Sequence, residues 1–303
     1  MDRALMIWVE GKSILRRLRA QRAEARQLYT DSTIALVWLW AVLNNQTAKW
    51  ACRPLNWPGK LPPGGLPSPS RFSRRVSTPR FKQLLAKLER HIAALDPPST
   101  GHVVTLIGDG HALPVARHSR DRHARCGRGA GGMARGYKLH PLIDDQGRIL
   151  GWRLAPMNQD EGEMLRRLLR DTGATLRGYL LADASYDDNW LFAAARERGV
   201  QLVAPRRRPG TGLGHVRHDP ARLRSMAMLE TPANDAGFGT RLYARRSTIE
   251  RMFGHWACTP ALNPDLPAWI RGYPRVHRWV HAKIIAIMID RLIRTNQLKR
   301  NAC

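Results

Sequence analysis

The sequence lacks the usual features of a secreted or membrane protein. Its four cysteines lie far apart and form no C-x-x-C pair, a spacing that favours reduced thiols. The longest apolar stretch, residues 33–43, is shorter than the ~20 residues that a membrane-spanning helix requires. The N-terminus has no signal-peptide pattern. We therefore predict a soluble, cytoplasmic protein without a membrane partner.

A zinc site is also incompletely encoded. His118, His123 and Cys126 are close enough in sequence to share a metal ion, but a fourth ligand and a second pair of cysteines are missing. We therefore do not predict zinc binding.

Acidic residues are scarce relative to basic ones. The 303 residues include 50 Lys and Arg but only 24 Asp and Glu, which gives a formal net charge of +26. A folded surface with this charge attracts a polyanion, and nucleic acid fits best because neutralised phosphates release counterions. The hydrophobic content of 43% is sufficient to fill a core, so we expect a folded chain and not a disordered one.

Two proline-containing breaks divide the sequence, at residues 54–69 and 96–101. Before the first break, apolar residues recur at helical spacing after Asp31 and Ser32, which we expect to cap a buried helix. After the second break, the helical pattern gives way to strands. We predict a helical domain over residues 1–98 and a second domain over residues 99–303.

The N-terminal domain contains two Ser/Thr-Pro pairs that are typical of helix starts, Ser68-Pro69 and Thr78-Pro79. The first opens a short basic segment with Arg71, Arg74 and Arg75. The second opens a longer helix with a leucine-rich stripe. This pattern fits a helix-turn-helix whose arginines contact DNA, and it fits equally well an ordinary helical bundle with a solvated basic face.

The C-terminal domain has the pattern of an α/β fold. Short apolar runs predict strands at residues 103–107, 137–143, 149–154, 179–183 and 200–204, with a hairpin at 144–147. Helices are predicted at residues 161–170, 189–198, 246–256 and 276–293, and residues 205–239 are predicted to be irregular. The expected architecture is a mixed five-stranded sheet flanked by helices, preceded by an all-helical domain.

Aspartates end two of these predicted strands. Asp109 follows the first strand and Asp183 ends the fourth, so parallel pairing of the two strands would bring the carboxylates together at one rim. Adjacent carboxylates repel each other, and the pair therefore implies a shared proton or a bound metal. Glu250, from a later helix, is the natural third acid, and Mg²⁺ suits such an oxygen-ligand site.

Four motifs in this order resemble insertion-sequence transposases of the DDE type. They are Gly108-Asp109-Gly110, Gly136-Tyr137-Lys138-Leu139-His140, Ala182-Asp183-Ala184-Ser185-Tyr186-Asp187, and the spacing of Tyr243, Arg246 and Glu250. The last motif is similar to the family's Tyr-Arg-Glu-Lys signature. The signature's Lys would stand seven residues after Glu250, where this chain has Ala257; His255 and Lys283 are possible substitutes.

The resemblance implies an RNase H-like fold and transposase chemistry. Two Mg²⁺ ions, with Mn²⁺ as a substitute, would be held by Asp109, Asp183 and Glu250 and would serve both cleavage at the element's end and joining of the freed 3′ hydroxyl to target DNA. Arg246 would contact a phosphate, and Tyr243 would stack or hydrogen-bond beside it.

The same resemblance implies the partners. These are double-stranded DNA, both the terminal inverted repeats and the target, and a second copy of the chain in a homodimer, at the nucleoid of a bacterial cytoplasm. Further backbone contacts are expected from a group of arginines, namely Arg120, Arg122, Arg125, Arg128, Arg206, Arg207 and Arg208. Two alternatives stay open: a DNA-binding derivative without catalysis, and a metal-dependent nuclease that does not join.

Overall fold

A computed structural model describes residues 2–20, 28–97, 104–129, 131–172, 177–212, 217–230 and 237–301. The helices there are α1 (Arg3–Ala20), α2 (Asp31–Leu43), α3 (Ala48–Ala51), α4 (Pro69–Val76), α5 (Pro79–Leu95), α6 (Glu161–Asp171), α7 (Asn189–Glu197), α8 (Pro220–Glu230), α9 (Phe238–Ala244), α10 (Ser247–Cys258) and α11 (Tyr273–Asn301). The strands are β1 (Val104–Gly108), β2 (His111–Pro114), β3 (Arg125–Gly129), β4 (Gly132–Asp144), β5 (Ile149–Pro156), β6 (Gly178–Leu181) and β7 (Val200–Val203).

The contacts divide the chain into two compact units. Unit 1 comprises residues 1–97 and 255–303, and unit 2 comprises residues 98–254. The division predicted from the sequence placed residues 255–303 with the sheet, whereas α11 packs on α1, α2 and α5. Helix α11 has buried apolar residues on several of its sides, such as Trp279 and Ile285, and these side chains pack against other helices. The predicted boundary at 98/99 and the strand start at Val103 lie outside the described residues.

Side-chain caps start the helices of unit 1. Ser68 accepts a hydrogen bond from the Arg71 N–H and begins α4, and Thr78 does the same for α5, as the sequence predicted. The predicted cap of α2 at Asp31 and Ser32 is wrong. Thr30 caps this helix, because its Oγ1 accepts the Thr33 N–H at 3.1 Å.

Helix α11 carries two fully buried charged residues, Lys283 and Asp290. The Lys283 Nζ donates to Asn45 Oδ1 at 2.8 Å and to the carbonyl oxygens of Pro260 and Ala261. Since this ammonium lies inside unit 1, Lys283 is not available to replace the missing signature Lys at a DNA phosphate. His255 is half-exposed, and its Nε2 lies 3.3 Å from the Asp290 carboxylate.

Unit 2 is built on one mixed sheet. The pairing runs β5, β4, β1, β6, β7, in which β1, β6 and β7 are parallel and β4 is antiparallel to β1 and β5. All five predicted strands are present. The predicted strand number is nevertheless wrong, because the sheet has seven strands within the part of the chain that the structure describes. Strand β4 starts at Gly132, earlier than predicted, and the added residues 132–136 pair with β3, while residues 136–139 pair with β2.

Helices cover the sheet and build the core of unit 2. Helix α6 packs on β4 and β5, and α7 and α8 pack on β7. The core includes Leu106, Leu165, Leu180, Phe192 and Leu202, all less than 3% exposed. Burial of these side chains fixes the strand ends that carry the acidic residues. Within the described residues, no helix is long and apolar enough to cross a membrane.

The prediction that residues 205–239 are irregular is wrong, because α8 and the start of α9 lie there. Helix α8 has little amphipathic periodicity and is held by tertiary contacts. Ser225 Oγ accepts the Ala204 N–H and donates to the Ala204 carbonyl, both at 3.1 Å, and ties α8 to the end of β7. Such contacts override local pattern and leave no periodic signal in the sequence.

Candidate active site

Two aspartates follow the carboxyl ends of the adjacent parallel strands β1 and β6. The strands pair with Ile107 opposite Leu181, Asp109 and Asp183 each lie two residues beyond this pair, and the charge of Asp183 acts on Asp109. Neighbouring strands lie about 4.8 Å apart, so the register brings two acidic groups to one rim of the sheet. This is the arrangement that the sequence predicted for the first and fourth of its five strands.

Asp109 is a half-buried carboxyl group with an altered acidity. Its Oδ1 accepts the Gly110 N–H at 2.7 Å. Burial raises the pKa of Asp109 to about 6, and the charges of Asp183 and Glu161 also raise it, whereas the Gly110 hydrogen bond and Arg246 lower it. A carboxyl group with this pKa exchanges its proton close to neutral pH, and a bound cation would favour the charged form.

Asp183 is fixed in place by the residues that follow it. It caps a short 3₁₀ helix, Ala184–Tyr186, and its Oδ1 accepts the Ser185 N–H at 2.8 Å and the Ser185 hydroxyl at 2.5 Å. The buried strand before it and the 3₁₀ turn after it therefore hold the carboxylate at the rim.

Arg246 joins the third acid to the first. Its guanidinium contacts Glu250 Oε1 at 2.9 Å and Asp109 Oδ2 at 3.3 Å. Glu250 lies in the first turn of α10, and 58% of its side chain is exposed. Tyr243 on α9 is hydrogen-bonded to Arg246. The structure thus links Tyr243, Arg246, Glu250 and Asp109 in one chain of contacts.

A neighbouring group of three side chains was missed by the sequence reasoning. The Lys138 ammonium on β4 donates to Glu161 Oε1 at the start of α6, and the Tyr186 hydroxyl donates to Glu161 Oε2 at 3.2 Å. Lys138 and Tyr186 are both buried. The available signal was Lys138 itself, because a lysine within a buried apolar strand needs an acidic partner.

This group packs directly against the turn that carries Asp109. A Cβ on Gly110 would lie 2.7 Å from the Lys138 Cδ and 3.0 Å from Glu161 Oε2. A side chain at this position would require Lys138 or Glu161 to move, so the Gly110 backbone lies close to the Lys138–Glu161 pair.

The donor chemistry of the site fits a divalent cation. Asp109 and Asp183 offer carboxylate oxygens, the ligands that Mg²⁺ prefers, and Glu250 is joined to the pair through Arg246. In the described part of the chain, however, no three His, Cys, Asp or Glu side chains are grouped closely enough to hold a metal ion. The Arg246 guanidinium provides the positive charge between Asp109 and Glu250.

Most of the arginines predicted to contact DNA are exposed and compatible with that role. This group comprises Arg71, Arg74, Arg120, Arg122, Arg125, Arg128 and Arg208. The predicted basic loop is partly regular, because Arg125 and Arg128 lie on β3.

Three other predicted DNA contacts are bound within the protein. Arg75 pairs with Asp31, and Arg206 pairs with Glu230 at 2.5 Å and donates to the Thr211 carbonyl. Arg207 pairs with Asp188 at 2.9 Å, although about half of its side chain is exposed. These internal partners give Arg75 and Arg206 a role in holding the fold.

Comparison with protein families gives a match for residues 105–236, to the family described as a transposase DDE domain. This part of the chain is therefore similar to a transposase DDE domain. The segment contains Asp109 and Asp183, whereas Tyr243, Arg246 and Glu250 follow it. The match confirms the DDE resemblance and the RNase H-like fold class that the sequence predicted. Assignment to the Tyr-Arg-Glu-Lys subgroup stays a prediction.

Similarity to a DDE domain supports a transposase-type function, and that family generally binds DNA and uses divalent metals. Searches of curated proteins and of solved structures yield no match.

Proposed function

We propose that this protein is a transposase that cuts DNA at the ends of a mobile element and joins the freed 3′ hydroxyl to target DNA. Asp109, Asp183 and Glu250 are the proposed catalytic and metal-binding acids. The partners we propose are terminal inverted repeats, target DNA and a second copy of the chain.

The observation that carries this proposal is the parallel pairing of β1 and β6, at whose carboxyl ends Asp109 and Asp183 lie. Asp109 and Asp183 each follow one of two buried parallel strands that pair directly, and Arg246 connects Asp109 to Glu250. A structural role for each acid alone would not require all three to be tied to one rim.

Asp109, Asp183 and Glu250 would hold the metal after Glu250 leaves Arg246 and joins the two aspartates. When bound, two Mg²⁺ ions would supply positive charge for the displacement at phosphorus. In the first reaction, water attacks a phosphodiester, a P–O bond forms, and the bond to the 3′ oxygen breaks to leave a 3′ hydroxyl. In the second reaction, this hydroxyl attacks a target phosphodiester and releases a target 3′ hydroxyl, with no covalent protein intermediate.

The protein's own side chains would orient the DNA. Arg246 has a planar fork of donors that matches a phosphate, and Tyr243 holds the guanidinium in position through its hydrogen bond. Lys138 neutralises Glu161 beside Asp109, so the rim does not carry a fourth uncompensated negative charge.

A second candidate is a DNA-binding protein that has lost catalysis. It is favoured by Ala257, which occupies the position of the signature's Lys, and by the internal pairing of Arg246 with two of the three acids. A metal-dependent nuclease without joining activity is the third candidate function for the same site.

Two assays on the full chain separate these functions. The first follows nicking of supercoiled plasmid with Mg²⁺ or Mn²⁺, and the second follows covalent joining of a labelled DNA end with a free 3′ hydroxyl to a plasmid. A transposase gives both products. Nicking without joining indicates a nuclease, and DNA binding without nicking at any metal concentration indicates the binding protein and contradicts our proposal.

A further inference from the structure

Unit 1 contains a cavity of about 500 Å³ at the starts of two helices. The turn between α4 and α5 forms one side, with Thr78 and Lys82. The first turns of α11 form the other side, with Tyr273, His277, Arg278 and His281. The cavity therefore adjoins the segment in which the sequence predicts a helix-turn-helix.

The cavity is lined by positively charged side chains, and one of their hydrogen-bond donors has no partner among the described residues. The Nε of Arg278 is buried and has no hydrogen-bond partner among the described residues. Burial lowers the pKa of Arg278, and the nearby charge of Arg275 lowers it as well. The nearby acid, Glu89, is paired with His281 at 2.7 Å. The cavity thus offers donors for which an anion is the complementary ligand.

Of the two histidines in the lining, His277 does not add to this charge. Burial, together with the charges of His281 and Lys82, lowers the pKa of His277 to about 4, so the ring is neutral at pH 7. The positive charge of the cavity comes from Lys82 and Arg278, supported by the positive ends of two helix dipoles.

Backbone amides contribute less than at a typical helix start. Pro79 and Pro274 occupy the first turns of α5 and α11, and each removes one N–H donor. An anion here must therefore be recognised mainly by side chains. The guanidinium of Arg278 can donate two parallel hydrogen bonds to phosphate oxygens, which a lysine cannot do.

We infer that this cavity binds one phosphate of the DNA backbone, with Arg278 and Lys82 as its ligands, and fixes the register of unit 1 on the duplex. The identity of the anion as DNA rests on the proposed function. The cavity itself rests on the contacts of α5 and α11. Exposed Arg71 and Arg74 on the neighbouring α4 would extend the same contact along the backbone.

The test is the salt dependence of DNA binding by the full chain, measured in EDTA so that cleavage plays no part. Each phosphate contact contributes about 0.9 to the magnitude of the slope of log K against log[salt]. We expect Lys82→Ala and Arg278→Ala each to reduce this magnitude by about 1 and to weaken DNA binding about tenfold. Arg278→Lys should keep the slope while losing part of the affinity.

Arg90→Ala is the matched control, because Arg90 is exposed on α5 and does not line the cavity. Thermal unfolding shows whether Arg278→Ala folds, and the exposed Lys82 gives an independent variant. Unchanged slopes for both cavity variants, or an equal loss for Arg90→Ala, overturn the inference. Stabilisation of the parent by inorganic phosphate, with no change in DNA slope for either variant, assigns the cavity to a free anion and also overturns it.

These outcomes are distinct from failure of the proposed function. If the chain binds DNA through the cavity but never nicks it, the inference about the phosphate contact stands and only the proposed catalytic function is contradicted.

Discussion

At the scale of single residues, the site is a balance of charge at the rim of the sheet. Asp109 has its pKa raised to about 6 by burial and by two neighbouring acids, while Arg246 opposes this change. A guanidinium between Asp109 and Glu250 satisfies both acids before any DNA or metal is bound. The same guanidinium is our proposed phosphate ligand, so its partners must change when substrate enters.

The Lys138–Glu161 pair should influence cation binding through its charge. Glu161→Gln keeps the shape of the side chain but leaves the Lys138 ammonium uncompensated beside Asp109. We expect this change to weaken Mn²⁺ binding about tenfold, as judged by calorimetry on DNA-free protein, because a buried like charge repels the ion.

The double variant Lys138→Met, Glu161→Gln is the matched control for that effect. It removes both charges, and we expect Mn²⁺ affinity to return to within about threefold of the parent. A purely structural role makes the double variant no better than the single one, and that result would refute the charge-based account.

At the scale of secondary structure, the site depends on the close pairing of β1 and β6. Gly178 begins β6 with φ +146°, and a Cβ at this position would lie 2.0 Å from the Val104 carbonyl oxygen. We expect Gly178→Ala to lower the free energy of unfolding by more than about 3 kcal/mol, because backbone must move and φ is unfavourable for alanine.

Gly151→Ala is the comparison within the same sheet. A Cβ there would lie 3.5 Å from Leu168 Cδ2, an ordinary packing distance, so we expect a change below about 1 kcal/mol. Urea unfolding of both variants tests the pair. Similar stability of the two would mean that β1 and β6 are less tightly held than the pairing indicates.

The elements that the sequence predicted are those with a local signal. The five core strands are short apolar runs, and α4 and α5 begin at Ser-Pro and Thr-Pro pairs. Strand β3 and helix α8 were missed because their residues gain order from partners elsewhere. Strand β3 is rich in Arg and Gly and is defined by pairing with β4, and α8 is anchored by Ser225.

The same distinction applies to the site. Asp109 and Asp183 were predictable because each follows an apolar strand, and a parallel pairing would make them neighbours. Glu161 could not be predicted as part of the site, since its position beside Asp109 depends on how α6 packs against the sheet. The internal partners of Arg75 and Arg206 were equally invisible, because Asp31 and Glu230 are distant in sequence.

At the scale of the whole molecule, the stability of unit 1 should depend on pH through Lys283. Burial lowers the pKa of Lys283 from 10.5 to about 7. The unfolded chain therefore binds more protons at this residue between about pH 7 and 10.5, and its contribution to stability rises with pH across that window. Below about pH 7 the lysine is charged in both states and the cost of burying the charge is constant.

Lys283→Met removes this titration and isolates it from other groups. We expect the unfolding free energy of the parent to increase relative to that of the variant as the pH rises from 7 to 10. Chemical unfolding at several pH values measures it. A difference that is independent of pH would show that Lys283 keeps an ordinary pKa, held by its three oxygen acceptors.

The measurement that bears most directly on the catalytic site is nicking of supercoiled plasmid by Asp183→Asn in the presence of Mg²⁺. The matched control is Asp188→Asn, which removes an acid five residues away that pairs with Arg207 instead of facing Asp109. We predict that Asp183→Asn abolishes nicking and retains DNA affinity within about twofold, while Asp188→Asn nicks like the parent. Equal nicking by Asp183→Asn and the parent would contradict the assignment of this rim as the catalytic centre.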